Sequence, residues 1–204
     1  MQKSAAHYLR WITLFLYLQY SQIPNVHISK KSNRPKNEKL PMKQEIYNTL
    51  DRLGIDYTRL EHPPIMTMEE GMTIAQKLGV SSCKNLFLVN KQKEYFLLLL
   101  SGNKKLSAKS IAKQIGSSHL SFASDEDMQT LLFTTPGAVS ILGLIYDKEN
   151  KFKWLIDKDV IQADYIGCHP CENTCSLKIR TKDILEVLLS AINHADFEEI
   201  NTEL

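Results

Sequence analysis

The chain has 204 residues, 43% of them apolar, which is enough for one domain with a real core and some length to spare. A formal charge of +2 with 24% charged residues excludes a strongly basic nucleic-acid binder on composition alone, and four cysteines are too few for a disulfide framework. The charge is uneven: residues 1–41 hold seven Lys or Arg and one acid, whereas from Met42 onward eighteen bases face twenty-two acids, a net of −4.

The stretch "YLRWITLFLYLQY", Tyr8 to Tyr20, is the one candidate targeting segment, with Lys3 and Arg10 ahead of a short apolar run. It is too short to span a bilayer and lacks a small-residue cleavage site. The basic, Pro-containing "SKKSNRPKNEKLPM" that follows reads as a linker. We therefore expect residues 1–41 to be an extension outside the core, residues 42–204 to form one domain, no membrane attachment, and a reducing cytoplasmic location.

From Met42 the punctuation becomes regular. Ile46, Leu50 and Leu53 recur at helical spacing and stop at Gly54, predicting a helix over 43–53. "DYTRLEH" alternates as a short strand. Thr67 followed three residues later by Glu70 is a capping box that opens a second helix ending at Gly79. "NLFLVN" and "EYFLLLLS" flank the polar turn "KQK" as a hairpin, and the second strand is apolar on both faces and so central. A helix is expected from Ser107 to Ile115, and another, capped by Ser124 with Asp127, runs into the Pro-Gly turn "TTPG". "SILGLIYD" and "FKWLID", joined by "KENK", read as a second hairpin, "SLKIR" as a strand, and Thr181 as the cap of a closing helix that buries Ile184, Leu188 and Ile192. Hairpins mixed with helices predict an α+β domain: a mixed, mostly antiparallel sheet with helices packed around it. There is no Gly-rich phosphate loop, no H-E-x-x-H and no G-x-S-x-G.

"GCHPCENTCSL", Gly167 to Leu177, holds three cysteines and a histidine. A structural zinc site needs four ligands, usually as two paired knuckles, and Cys168, Cys171 and Cys175 have only the distant Cys83 as a further thiol. Redox chemistry is disfavoured because Glu172 beside Cys171 raises the thiol pKa. With the sulfurs set aside, the frame is G-x-H-P-x-x-N-T, with His169, Pro170, Asn173 and Thr174 at a strand junction.

Together with "EHPPIMTMEE" (Glu61 to Glu70), "KNLFLVN" (Lys84 to Asn90) and "TPGAVSILGL" (Thr135 to Leu144), this frame resembles the YbaK and prolyl-tRNA-synthetase-associated editing domain family, in the expected order across nearly the whole body. Within it the chain is most similar to the free-standing editing proteins that hydrolyse alanine wrongly attached to the proline tRNA. The resemblance implies an aminoacyl-tRNA hydrolase with no metal or organic cofactor, acting on tRNA, with prolyl-tRNA synthetase as a further partner. It implies Lys84 and His169 as the catalytic pair, the former directing an ammonium to the terminal nucleotide and the latter orienting the aminoacyl group.

Gly137 and Ala138 are expected where backbone N–H groups suit an oxyanion, Pro64, Ile65, Met66 and Leu86 as the apolar floor of an amino-acid pocket, and Asn173 as a further substrate contact. Each has a plainer alternative: core packing for the apolar four, a simple turn for the Pro-Gly pair, a solvated strand edge for Lys84. Lys105, Lys109 and Lys113, spaced by four with Lys104 beside them, are expected to offer one basic helix face to RNA. Two departures stand out. The family often has proline where this chain has Ile141, and Glu172 adds an acid near the proposed site. The rival readings are a cysteinyl-tRNA deacylase of the same family, a catalytically weak tRNA-binding relative, and a metal-binding module on the cysteines.

Overall fold

The structure, a computed structural model, describes residues 42–202; the extension 1–41 and its apolar run Tyr8 to Tyr20 lie outside the described residues. The first helix, α1 (Met42–Arg52), buries Ile46 and Leu50 completely. The chain then enters β1 (Tyr57–Glu61) and α2 (Met68–Leu78). Helix α2 starts where the sequence predicts. The Thr67 hydroxyl accepts from Glu70 N, the Glu70 carboxylate accepts from Thr67 N, and Gly79 closes the helix in the left-handed region at φ 63°.

Strands β2 (Cys83–Val89) and β3 (Tyr95–Ser101) form the expected antiparallel hairpin. Beyond it come α3 (Ala108–Gln114), β4 (Ser121–Phe122) and α4 (Asp125–Leu131), the last capped by Ser124 and Asp127 as expected. After these lie β5 (Phe152–Asp157), α5 (Lys158–Ile161), β6 (Tyr165–Cys168) and β7 (Cys175–Arg180). A closing helix follows, wound as a π-helix over Asp183–Leu188 and continuing as α6 (Leu189–Ala191), and β8 (Glu198–Ile200) ends the described fold.

The strands make two sheets. One has the order β1-β7-β6, antiparallel throughout; the other has the order β4-β2-β3-β5-β8, with β5 parallel to both β3 and β8. The fold class is therefore the α+β, mixed and mostly antiparallel arrangement anticipated. Strand β3 is central because its alternating side chains serve two cores. Leu97 and Leu99 join the larger one with Phe87, Trp154, Ile166, Ile179 and Leu188, and Phe96, Leu98 and Leu100 join a smaller one beneath α3 with Ile111, Leu155 and Ile200.

Two local expectations are corrected. "SILGLIYD" is not a strand: Ile141–Tyr146 winds as a 3-10 helix capped by the Ser140 hydroxyl, and β5 pairs in parallel with β3 instead of closing a hairpin. All five residues Ile141 to Ile145 are buried, so the segment is apolar on every side and its periodicity carries no information about its winding. Thr181 does not cap the closing helix, because its hydroxyl is buried without a partner; Ile184 and Leu188 are fully buried as expected, and Ile192 only partly.

Candidate active site

The two sheets, helix α2 along its length and the loop before the 3-10 helix line an open cavity of about 400 Å³. The start of β2 borders it with Cys83, Lys84, Asn85 and Leu86, of which Lys84 and Leu86 share one face of the strand. Ile65, Met66 and Met68 come from the approach to α2, Gly137 and Val139 from the loop, Cys168 and His169 from the end of β6, and Ser176 from β7. The predicted catalytic pair, 85 residues apart in sequence, thus lines one cavity.

The ammonium of Lys84 donates to the Lys104 carbonyl at 2.6 Å, which leaves two of its three N–H bonds for a ligand. His169 is half-buried at the loop between β6 and β7. Its Nδ1 lies 2.9 Å from the Cys175 carbonyl and 3.4 Å from Ser176 Oγ. Burial holds this imidazole below its ordinary value of 6.5; the carbonyl contact works against that and His62 adds to it. At neutral pH His169 is therefore neutral. With Nδ1–H given to a carbonyl, Nε2 keeps its lone pair.

The remaining expectations separate. Ile65 and Leu86 are half-buried on the cavity wall, whereas Met66 is 80% exposed at the rim and Pro64 is exposed and off the wall, so neither forms a floor. Gly137 lies on the wall with φ 84°, a conformation open to glycine. Ala138 turns into the core at 4% exposure, and its N–H donates to the Thr135 carbonyl, so it is not an oxyanion donor. Asn173 faces protein, not the cavity. Its Oδ1 accepts from Ile65 N at 3.2 Å and its Nδ2 donates to Ile65 O at 2.8 Å, clamping the approach to α2 onto the β6–β7 loop.

The two departures also find physical explanations. Glu172 is paired with Lys43 of α1 at 2.9 Å, so its charge is compensated. Ile141 donates its N–H to Asn85 Oδ1 at 3.1 Å, a bond proline could not make, and this ties the Gly137 loop to β2 next to Lys84. Asn85→Ala is accordingly expected to cost about 1 kcal/mol and to raise KM through a looser loop, measured by urea unfolding and steady-state kinetics; an unchanged midpoint and KM would dismiss the tie.

The basic patch is smaller than the spacing implied. Lys104 is not available to RNA: its ammonium sits 2.8 Å from Asp157 Oδ1 and 2.8 Å from Asp159 Oδ2, with 14% of the side chain exposed. Helix α3 begins only at Ala108, so Lys105 precedes it and only Lys109 and Lys113 share its exposed face. The four thiols are free. Cys168 and Cys175 are buried, and burial pushes Cys83 up to about 12 and Cys171, with Glu172 adding to it, also to about 12. Such thiols stay protonated at neutral pH and are poor nucleophiles. Among the described residues no three His, Cys, Asp or Glu side chains converge as a metal site.

Sequence reasoning missed His62, Ser176 and Asn85. Asn85 stands in the quoted "KNLFLVN" motif, but its role depends on a loop 56 residues away. His62 and Ser176 meet only through the register in which Glu61 opposes Cys175 across β1 and β7.

Fold and cavity together define an α+β domain of two sheets that border a small cavity. A family model described as the aminoacyl-tRNA editing domain matches residues 62–187, and the chain belongs to that family. It is 31% identical over 151 residues to the "Prolyl-tRNA editing protein ProX" of Acetoanaerobium sticklandii, covering 72% of this chain and 90% of that one. It is 29% identical over 149 residues to the "Prolyl-tRNA synthetase associated domain-containing protein 1" of Danio rerio, covering 72% and 81%. The crystal structure of a candidate trans-editing enzyme for prolyl tRNA synthetase superposes with a TM-score of 0.60 at 18% identity, covering 82% of this chain and 99% of that one, a likeness of fold.

Proposed function

We propose that the chain is an aminoacyl-tRNA deacylase that removes alanine wrongly attached to the proline tRNA. The observation that carries this reading is the meeting of Lys84 and His169 on one small cavity in a domain of the editing family. The names of its relatives, a prolyl-tRNA editing protein among them, support the choice of tRNA. The task has a physical rationale: a synthetase pocket shaped for proline gains only about 1 to 3 kcal/mol against a ligand lacking methylenes, so a second sieve is needed.

In this reading the two free N–H bonds of Lys84 hold the phosphate or ribose of the terminal adenosine, and Gly137 brings backbone close to the ester. His169 Nε2 accepts from the α-ammonium of the amino acid and orients it. Water adds to the ester carbon, the carbon–oxygen bond to the ribose breaks, and the proton lost by water ends on the departing ribose hydroxyl. Lys105, Lys109 and Lys113 supply the contact to the RNA backbone. Residues 42–204 are the editing domain and residues 1–41 stand outside it. Prolyl-tRNA synthetase is the further partner. Among the described residues no helix is long and apolar enough to cross a membrane, and the cytoplasm, where tRNA is charged, is the location proposed. The experiment is amino-acid release from charged tRNAs by the purified full chain. Faster release of cysteine than of alanine would move the substrate to the cysteinyl ester.

A further inference from the structure

We propose that His62 is a positioning residue which, through the Ser176 hydroxyl, holds the ring orientation of His169, whose tautomer the Cys175 carbonyl already sets, so that Nε2 faces the bound aminoacyl group. That Nε2 faces substrate rests on the editing reading above; the contact from His169 through Ser176 to His62 does not.

The Pro63 carbonyl lies 2.8 Å from His62 Nδ1, and a carbonyl only accepts, so that nitrogen carries the hydrogen. In neutral His62 the other nitrogen, Nε2, is then bare. Ser176 Oγ lies 2.9 Å from it and must donate its hydrogen there. The serine oxygen is left as an acceptor, and the group facing it is His169 Nδ1 at 3.4 Å, whose hydrogen is shared with the Cys175 carbonyl at 2.9 Å. The chain of bonds therefore has one direction, from His169 Nδ1–H to Ser176 Oγ–H to His62 Nε2. It is consistent with the Nδ1–H tautomer that the Cys175 carbonyl sets and adds a second point of contact to the ring, and Ser176, 5% exposed on the cavity wall, is shielded from exchanging its partner for water. The rings stand edge to face at 6.3 Å with 69° between their planes, so His62 also limits rotation of His169.

His62 is itself anchored by more than its side chain. Its N–H donates to the Thr174 carbonyl at 3.0 Å, extending the pairing of β1 with β7 by one residue past Glu61. The same β1–β7 register that sets the sheet thus sets the imidazole.

The test compares the full chain with His62→Leu and His62→Gln, the latter retaining an amide oxygen able to accept from Ser176. The 15N shift of His169 Nδ1 reports its hydrogen bonding, and kcat and KM are measured on alanyl-tRNA(Pro). We expect His62→Leu to shift the His169 Nδ1 resonance and to lower kcat by roughly tenfold to a hundredfold with little change in KM, as misplacement of a reacting group produces, and His62→Gln to recover both. A folded His62→Leu protein with an unchanged Nδ1 shift and full kcat would overturn the proposal, as would failure of His62→Gln to recover either readout. If the wild type releases no amino acid from any charged tRNA, the editing reading falls, and the nitrogen shift alone decides whether His62 acts on His169 through Ser176.

Discussion

Lys84→Ala should lower alanyl-tRNA(Pro) hydrolysis by about a hundredfold while leaving the thermal melt unchanged. The size follows from the loss of one positioned charge, which in the proposed reading holds the terminal adenosine, an effect usually worth two to three powers of ten. The fold should survive because the only hydrogen bond of the ammonium among the described residues is the one to the Lys104 carbonyl. Lys84→Arg is a sharper control than it looks. A planar guanidinium cannot occupy the site of a compact ammonium donating at 2.6 Å, so we expect little recovery. Near-normal turnover by folded Lys84→Ala would remove this residue from the mechanism.

Lys104→Ala should do the opposite: cost stability, about 3 kcal/mol, the low end for breaking a buried ion pair. The reason is Asp157, which is fully buried and also accepts from Ser101 N, Asp159 N and the Thr202 hydroxyl. Burial pushes this carboxyl upward, but the Lys104 ammonium together with those three donors outweighs burial and holds it below its ordinary value of 3.8. A depressed carboxyl stabilises the fold fully above 3.8, and that contribution is lost as pH falls through the lowered folded value. Removing Lys104 leaves the buried charge unpaired, so the acid unfolding limb should also move to higher pH. Urea melts between pH 3 and 7 measure both. A stability loss under 1 kcal/mol with weakened tRNA binding would return Lys104 to the RNA contacts.

The contrast between these two lysines marks what a sequence can disclose. Both sit in ordinary polar surroundings in the chain, yet one borders a cavity and the other closes a buried ion pair, and only the fold around Asp157 decides which. Signals that act within a few residues were legible. The capping boxes at Thr67 and Ser124 opened helices where expected, and the apolar run of β3 marked it as the central strand. Signals that need a partner far along the chain were not. The parallel pairing of β5 with β3 and β8, the bond from Asn85 to the Ile141 loop, and the His62–Ser176 contact across 114 residues leave no local trace. The motif around His169 placed it correctly at a strand junction, but it also drew Asn173 into the substrate set, because a motif does not tell a residue that touches the ligand from one that holds the loop. Asn173 does the latter.

The cysteines illustrate the same limit from the other side. Their spacing raised the question of a metal; their environments answer differently, with Cys175 buried against the Tyr47 hydroxyl at 3.5 Å and Cys168 within the core. Both pack within the core beside the loop that carries His169.

The activity proposed for this cavity is hydrolysis of a small aminoacyl ester on a proline tRNA. The direct measurement presents the purified full chain with proline tRNA charged with alanine, cysteine, serine or proline and follows release of each amino acid under single-turnover conditions. The account predicts rapid loss of alanine, persistence of proline, and abolition of alanine release in a Lys84→Ala, His169→Ala double variant that still melts like the wild type. Equal, slow release of all four, unaffected by the double variant, would contradict it.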